Sequence, residues 1–137
     1  MAARDGARTA ADLAAYQRAF VAMDSGPAQL LVVAEAGQDV VATMHLSVIP
    51  GLARRGALRA PIGAVRVSEA YRSGGPGAAM ISWAIDETRR QGCGLGLLTT
   101  DKSRTNAHRC YERPGFVSSH EGMKLALRPR ASQPVAE

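Results

Sequence analysis

The segment Val65-Arg-Val-Ser-Glu-Ala-Tyr-Arg-Ser-Gly-Gly-Pro-Gly-Ala-Ala79 is the most informative part of the sequence. An apolar stretch typical of a strand passes into a glycine-rich turn, and the turn passes directly into a helical pattern. Such a turn leaves backbone N–H groups unpaired at the positive end of the helix dipole. This geometry suits a phosphate or pyrophosphate group. The segment is neither a P-loop, since no Gly-Lys-Ser/Thr follows, nor the dinucleotide fingerprint.

The rest of the chain predicts alternating helices and strands around this segment. Before it, we expect a helix over 9–23, a hairpin of strands over 29–35 and 40–49, and a third strand over 58–67, broken near Pro61 and Gly63. After it, we expect a helix over 78–91 capped by Gly92, a strand over 95–100, a short helix over 104–113 and a last strand over 122–127. The strand–helix–strand order at the centre is typical of a crossover between parallel strands.

Length and composition limit the class of protein. With 137 residues, of which 46% are hydrophobic, we expect one domain over 1–127 and a mobile tail over 128–137. No run approaches the ~20 apolar residues of a membrane span. The N-terminus lacks the apolar run of a secretory signal, so we expect a cytoplasmic protein with Cys93 and Cys110 as reduced thiols. No metal site is expected.

The charge of the chain raises the question of a phosphate partner. Lys+Arg 17 against Asp+Glu 12 gives a formal net charge of +5, but the basic residues are spread from Arg4 to Arg130 without a zinc finger, a basic zipper region or an RNA-binding motif. Nucleic acid is therefore not an expected partner. A small phosphorylated cofactor near Arg72 accounts for part of the surplus.

A second motif, found together with the glycine turn, makes the sequence signal far more specific. Arg72, Gly75 and Gly77 match a signature of Arg or Gln, two residues, Gly, one residue, then Gly or Ala, and Tyr111-Glu-Arg-Pro-Gly-Phe116 follows at the matching distance. In both motifs, and in the helix–strand–helix between them, residues 28–127 resemble the GNAT superfamily of acetyl-CoA-dependent N-acetyltransferases. Within it, Ala107-His-Arg-Cys-Tyr111 and Ser119-His120 are similar to the small aminoalkylphosphonate-type enzymes.

The resemblance implies a fold as well as an activity. It implies an α/β (α+β) domain with a mixed, mostly antiparallel sheet and a central splayed pair of parallel strands. Few residues precede the second family strand, so the first strand and first helix of the family are expected to be missing. Because those elements help to wall the acceptor site, a homodimer that completes the site is one arrangement we consider.

The resemblance also implies roles for individual residues. The pantetheine arm of acetyl-CoA, the co-substrate, would lie along the third strand, and its pyrophosphate would sit on backbone amides of the turn. The implied cofactor-binding residues are Val65, Val67, Arg72, Ser73, Gly74, Gly75, Gly77 and Ala78. Tyr111 matches the family tyrosine that protonates the leaving thiolate or holds its sulfur. The implied reaction is direct attack by a primary amine, expected on a small molecule.

Gly63, Pro76 and Pro114 each depart from the family pattern. Gly63 stands where the family often has a base glutamate, and the sequence does not choose among the substitutes, which are Glu69, Asp101, His45, His120 and Glu121. Pro76 removes one N–H from the phosphate cradle, although proline suits a first helical turn. Pro114 should end its helix early. Gly63, Pro76 and the short N-terminus also favour an alternative: an acetyl-CoA-binding regulatory module with weak or lost catalysis.

Overall fold

The computed structural model of the protein describes residues 10–72, 75–100 and 111–127. The chain divides into two compact units, Met1–Leu98 and Thr99–Glu137. Among the described residues, no helix has the length and apolar character needed to cross a membrane.

The first unit is built on a four-stranded sheet. In chain order its elements are α1 (Ala10–Asp24), β1 (Gln29–Ala36), β2 (Asp39–Ser47), the short α2 (Ala53–Gly56), β3 (Arg59–Val67), a 3-10 turn (Glu69–Tyr71), α3 (Pro76–Arg90) and β4 (Leu95–Leu98). The spatial order is β1-β2-β3-β4. The β1–β2 and β2–β3 pairs are antiparallel and the β3–β4 pair is parallel. This confirms the predicted hairpin and the mixed sheet with its parallel pair.

One face of the sheet forms the core with α3. Met44 and Leu46 on β2 are completely buried, and Ile62 on β3 pairs with Leu46 on the same face. From α3 the buried residues are Met80, Ile81, Ala84 and Thr88. Full burial of one such aliphatic side chain contributes roughly 1.5–3 kcal/mol. The predicted apolar face of this helix is correct, except that Met80 is buried and Ile85 is only half-buried.

The predicted cap of α3 is confirmed. Gly92 has φ +78°, a left-handed conformation that glycine adopts without a steric penalty. The N–H of Gly92 donates to the carbonyl of Arg89, and the N–H of Cys93 donates to that of Thr88, both at 3.0 Å. These two bonds form a Schellman motif, which pairs carbonyls that the helix end would otherwise leave open.

Helix α1 forms where the sequence predicts it, but its apolar residues are mostly exposed. Leu13 and Tyr16 are each 57% exposed and Phe20 is 47% exposed, whereas Met23 is half-buried. The spacing therefore predicts the helix correctly, but it does not show how much of the apolar face is buried.

The predicted break of the third strand at Pro61 is wrong. Pro61 lies inside β3 and pairs with Leu97 of β4. The antiparallel pairing with β2 runs to Leu46–Ile62 and resumes only at the Ile49–Arg59 bridge. Pro61 thus falls at an interruption of that ladder, where a missing N–H costs little.

In the second unit, the described residues are 99–100 and 111–127. The predicted strand over 122–127 is wrong, because the structure assigns no strand to residues 116–127. Met123, Leu125 and Leu127 alternate as in a strand, yet they are 96%, 82% and 85% exposed. Alternation alone does not make a strand, which needs a hydrogen-bonded partner. The predicted helix over 104–110, Cys110 and the tail over 128–137 lie outside the described residues.

Candidate functional site

Parallel pairing between β3 and β4 ends before β3 does. The paired positions run from Arg59–Leu95 to Ile62–Leu98, while β3 continues to Val67. Beyond Ile62, β3 therefore has a hydrogen-bonding edge to which β4 offers no partner. An extended ligand can bond to such an edge as an added strand does.

A β-bulge marks the point where this open edge begins. Thr43 pairs with Arg66 and His45 with Gly63, so Ala64 and Val65 together face the single residue Met44. Ala64 has φ +52°, a left-handed conformation that is strained for any residue with a side chain. Because a bulge bends its strand and increases the local twist, it gives a physical cause for the end of pairing with β4.

The backbone of Val67 faces the open edge. The N–H of Ser68 donates to the carbonyl of Val41 at 2.7 Å, which makes Val67–Ala42 a non-hydrogen-bonded pair of the antiparallel ladder. The N–H and carbonyl of Val67 consequently point away from β2. The carbonyl accepts a hydrogen bond from Nε of Arg72 at 3.2 Å, and the N–H is directed toward the same edge.

The glycine turn starts α3 as the sequence predicts, although two of its residues, Ser73 and Gly74, lie outside the described part of the chain. Gly75 is the N-cap residue, with φ +101°. Its carbonyl accepts the first helical bond, from the N–H of Ala79 at 3.0 Å. Pro76 in the first turn has no N–H, so Gly77 and Ala78 carry the donors for which the helix has no acceptor.

The two matched glycines serve different purposes. Gly75 has a positive φ that favours glycine, although a side chain there would meet no atom of the described residues within 4 Å. A Cβ on Gly77 would lie 3.5 Å from Cγ2 of Val67, an ordinary contact, and its φ is not positive. Nothing in the described structure requires glycine at position 77. A ligand that approaches the backbone closely is a reason for a residue without a side chain there.

Five residues are candidates to replace the family's base glutamate, and one of them lies beside Gly63, the position where that glutamate would stand. His45 on β2 pairs directly with Gly63 on β3, and directly opposed residues share a face of the sheet. Glu69, in the 3-10 turn, and His120 and Glu121, in the second unit, are exposed. The ring Nδ1 of His120 is hydrogen-bonded to Oγ of Ser119 at 2.7 Å. Asp101 lies outside the described residues.

A polar network holds the ring of His45, and no motif in the sequence predicts it. Nε2 of His45 lies 2.5 Å from Oε1 of Gln29 on β1. The hydroxyl of Ser47 donates to the same oxygen at 3.0 Å. All three side chains are on the face opposite α3, and all three are half-buried. Only the cross-strand register, Gln29–Ser47 and Gly63–His45, brings these residues together.

Tyr111 lies in the second unit, at the end of a helical turn. Gly115, with φ +115°, turns the chain back so that the N–H of Phe116 donates to the carbonyl of Tyr111 at 3.1 Å. The two rings meet edge to face, with centroids 6.3 Å apart and planes at 72°. Helical structure ends at Glu112, two residues before Pro114, as the sequence predicts.

The described residues of the first unit thus form an α/β fold with a mixed sheet, whose parallel pair opens beside a glycine turn and a helix start. The chain belongs to the acetyltransferase (GNAT) family, whose model matches residues 3–116. This confirms the resemblance stated from the two motifs.

Individual relatives agree with this assignment. The chain is 41% identical over 51 residues to an aminoalkylphosphonate N-acetyltransferase of Salmonella typhimurium strain LT2. That match covers 37% of this chain and 33% of the relative, so it spans about a third of the relative's length.

Two solved structures share the fold. A transcriptional regulator from Bacillus halodurans C-125 is 39% identical, with a TM-score of 0.80, over 82% of this chain and 75% of that one. A predicted acetyltransferase from Clostridium acetobutylicum, solved with acetyl-CoA, is 18% identical, with a TM-score of 0.70, over 90% of this chain and 81% of that one.

Proposed function

We propose that the protein transfers the acetyl group of acetyl-CoA to a primary amine on a small molecule by direct attack of the amine on the thioester. The open edge of β3, which runs from the bulge at Ala64 to the glycine turn, is the observation on which the proposal rests most heavily. Membership of the acetyltransferase family supports acetyl transfer.

The backbone of the first unit fits an elongated CoA thioester. Val65 and Val67 supply the strand edge, and the N–H of Val67 would bond to an amide of the pantetheine arm. The N–H groups of Gly77 and Ala78 would receive the pyrophosphate at the start of α3, next to Gly75. Ser73 and Gly74, which the resemblance also implies as cofactor-binding residues, lie outside the described residues. Bound there, acetyl-CoA would supply the activated acetyl group.

Arg72 would act in two ways. Its Nε is already committed to the carbonyl of Val67, which ties the turn to the end of β3. Because a guanidinium carries five N–H donors, the remaining ones would interact with the phosphates. Its role in binding is therefore to position the backbone cradle and to add positive charge.

Tyr111 would protonate the departing thiolate or hold its sulfur. Its ring is fixed by Phe116, so the phenol would not need to be ordered during the reaction. A positioned general acid contributes about 10²–10⁴-fold to a rate.

The acceptor is proposed to be a small amine, with aminoalkylphosphonates as the first class to test. That choice follows from the activity named for the Salmonella relative. A screen should measure CoA thiol release with an aminoalkylphosphonate, an amino sugar and a lysine peptide, each in separate reactions.

Acetyl-CoA binding is tested by a thermal melt. A ligand at about 100 times its Kd adds about 2.7 kcal/mol to the stability of the folded state, which should raise the Tm by several degrees. The control ligand is adenosine, which lacks both the phosphates and the pantetheine arm and should leave the Tm unchanged. No shift at millimolar acetyl-CoA would refute the cofactor assignment.

A second candidate is a regulatory module that binds acetyl-CoA with weak or lost catalysis. Gly63 in place of a base glutamate favours it, and so does the name of the Bacillus relative as a transcriptional regulator. The two candidates differ in one result: the module would show the thermal shift but little or no thiol release with any amine.

A further inference from the structure

We propose that His45 is the general base of the acetyl transfer and that it occupies, from the neighbouring strand, the space left by Gly63. The inference rests on the proposed function, because it assigns the residue that removes a proton from the acceptor amine. It is drawn from the strand register and from the hydrogen bonds around the His45 ring.

The register places the imidazole beside the vacant position. His45 and Gly63 are directly opposed across β2 and β3, so a side chain at position 63 would leave the same face of the sheet as that of His45, with the two Cβ atoms about 4.5–5.5 Å apart. A Cβ on Gly63 would meet no atom of the described residues within 4 Å. Among those residues, the space in front of Gly63 is therefore open, and the bulge at Ala64 and the open edge of β3 begin at the next residue.

The hydrogen bonds to Gln29 set the tautomer of the ring. The amide oxygen Oε1 of Gln29 is an acceptor, so Nε2 of His45, 2.5 Å away, must carry the hydrogen. The Ser47 hydroxyl donates to the same oxygen at 3.0 Å. In the neutral ring the proton on Nε2 leaves Nδ1 as the acceptor nitrogen, which is the state that a base requires.

The surroundings allow a substrate to approach. His45 is on the face of the sheet opposite α3, where its neighbour on β1, Leu31, is 44% exposed. It is half-buried rather than enclosed. A base in this setting is both held by the protein and open to an amine or to a water between them.

The proton balance is simple. An alkylammonium with a pKa near ~10.4 is almost fully protonated at neutral pH, so Nδ1 takes one proton from it and passes that proton to solvent. The neutral nitrogen then forms the N–C bond to the thioester carbonyl while the C–S bond breaks. The nitrogen loses a second proton and the thiolate gains one, which leaves amide, free thiol and one released proton.

Gln29 is a positioning residue in this scheme. Gln29→Leu removes the acceptor oxygen for Nε2 and should lower kcat by about tenfold with little change in the KM for the amine, whereas Gln29→Glu keeps an acceptor oxygen and should lower kcat less. Equal kcat values for the two variants would contradict the positioning role, because a purely structural role would not distinguish them by the acceptor atom.

The deciding experiment compares His45→Gln with the double variant His45→Gln/Gly63→Glu. The probe amine is the one with the highest rate in the screen of aminoalkylphosphonate, amino sugar and lysine peptide. His45→Gln should lower turnover by about 10²–10⁴-fold, with an unchanged Tm shift by acetyl-CoA. Adding Gly63→Glu should recover at least about tenfold, since it restores a carboxylate base at an open position.

Hydroxylamine, which is largely neutral at the assay pH, provides a readout that loss of structure would not give. With it, the deficit of His45→Gln should be much smaller than with the alkylamine. Turnover of His45→Gln within threefold of the unmodified protein would overturn the assignment. An unmodified protein that releases no thiol with any amine would instead refute the proposed function, and the role of His45 would fall with it.

Discussion

The glycine turn at the start of α3 and the middle of β3 lie in the same unit, yet they relate to the family pattern in opposite ways. At the turn, Arg72, Gly75 and Gly77 all match the pattern, Gly75 precedes α3 with a left-handed φ, and Arg72 bonds to the end of β3. In the middle of β3, Gly63 departs from the pattern, and the strand register places His45 of β2 directly opposite it. A binding site formed by consecutive backbone groups appears in the sequence as a linear motif. A side chain that comes from another strand produces no such motif.

This contrast predicts that changes near the reacting atoms alter turnover, and that changes at the turn alter affinity or stability. The largest of the remaining effects concerns Tyr111. Tyr111→Phe should lower kcat by about 10²-fold, since it removes a general acid, while the Tm shift by acetyl-CoA stays nearly the same. Thiol release and thermal melts measure the two quantities. Tyr16→Phe, on exposed α1, is the control and should retain full activity. Unchanged kcat in Tyr111→Phe would remove this residue from the mechanism.

A smaller effect is expected at Gly77, where the prediction concerns affinity alone. Gly77→Ala should weaken acetyl-CoA binding by about tenfold, equivalent to about 1.4 kcal/mol, because the methyl group would intrude on the pyrophosphate. Stability should not fall, since the contact with Val67 is ordinary and alanine favours helix. Titration calorimetry gives the Kd. Gly51→Ala is the matched control, at a loop glycine with open space and no positive φ. If both variants bind equally well, the pyrophosphate does not lie at Gly77.

The smallest effect is expected at Gly75, where the backbone conformation matters most. Gly75→Ala should destabilise the fold by about 1 kcal/mol, because alanine is strained at φ +101°. Denaturant unfolding measures this loss. Gly37→Ala, in the hairpin turn with φ +63° and open space, should cost a similar amount of stability but leave acetyl-CoA binding intact. Should Gly75→Ala prove neutral, the turn does not depend on the left-handed cap.

Local sequence signals predicted the first unit well. Gly92 marked the end of α3, and its left-handed φ with the two bonds of the cap explains why: the signal lies in one residue and its immediate neighbours. The hairpin of β1 and β2 was also predictable, since Gly37 separates two apolar runs. Such features depend on a few adjacent residues, and a sequence displays them directly.

Features that depend on distant partners were missed. The apolar run over 122–127 reads as a strand, but it has no partner strand in the described part of its unit. The site shows the same limit. Gln29, His45 and Gly63 are far apart in sequence, and only the registers of two strand pairs bring them together. Five candidate bases remained open because sequence spacing contains no information about cross-strand register.

The left-handed Ala64 has a consequence for how fast the protein takes up its co-substrate. Its strain of about 1–2 kcal/mol is incurred when the chain folds, so the opening beside β3 exists before any ligand arrives. A ligand then meets a preorganised cleft and need not wait for two paired strands to separate, a step that would slow association. Ala64→Gly would relax this strain. Comparing the association rate of acetyl-CoA with this variant and with the unmodified protein would show whether the bulge itself holds the cleft open.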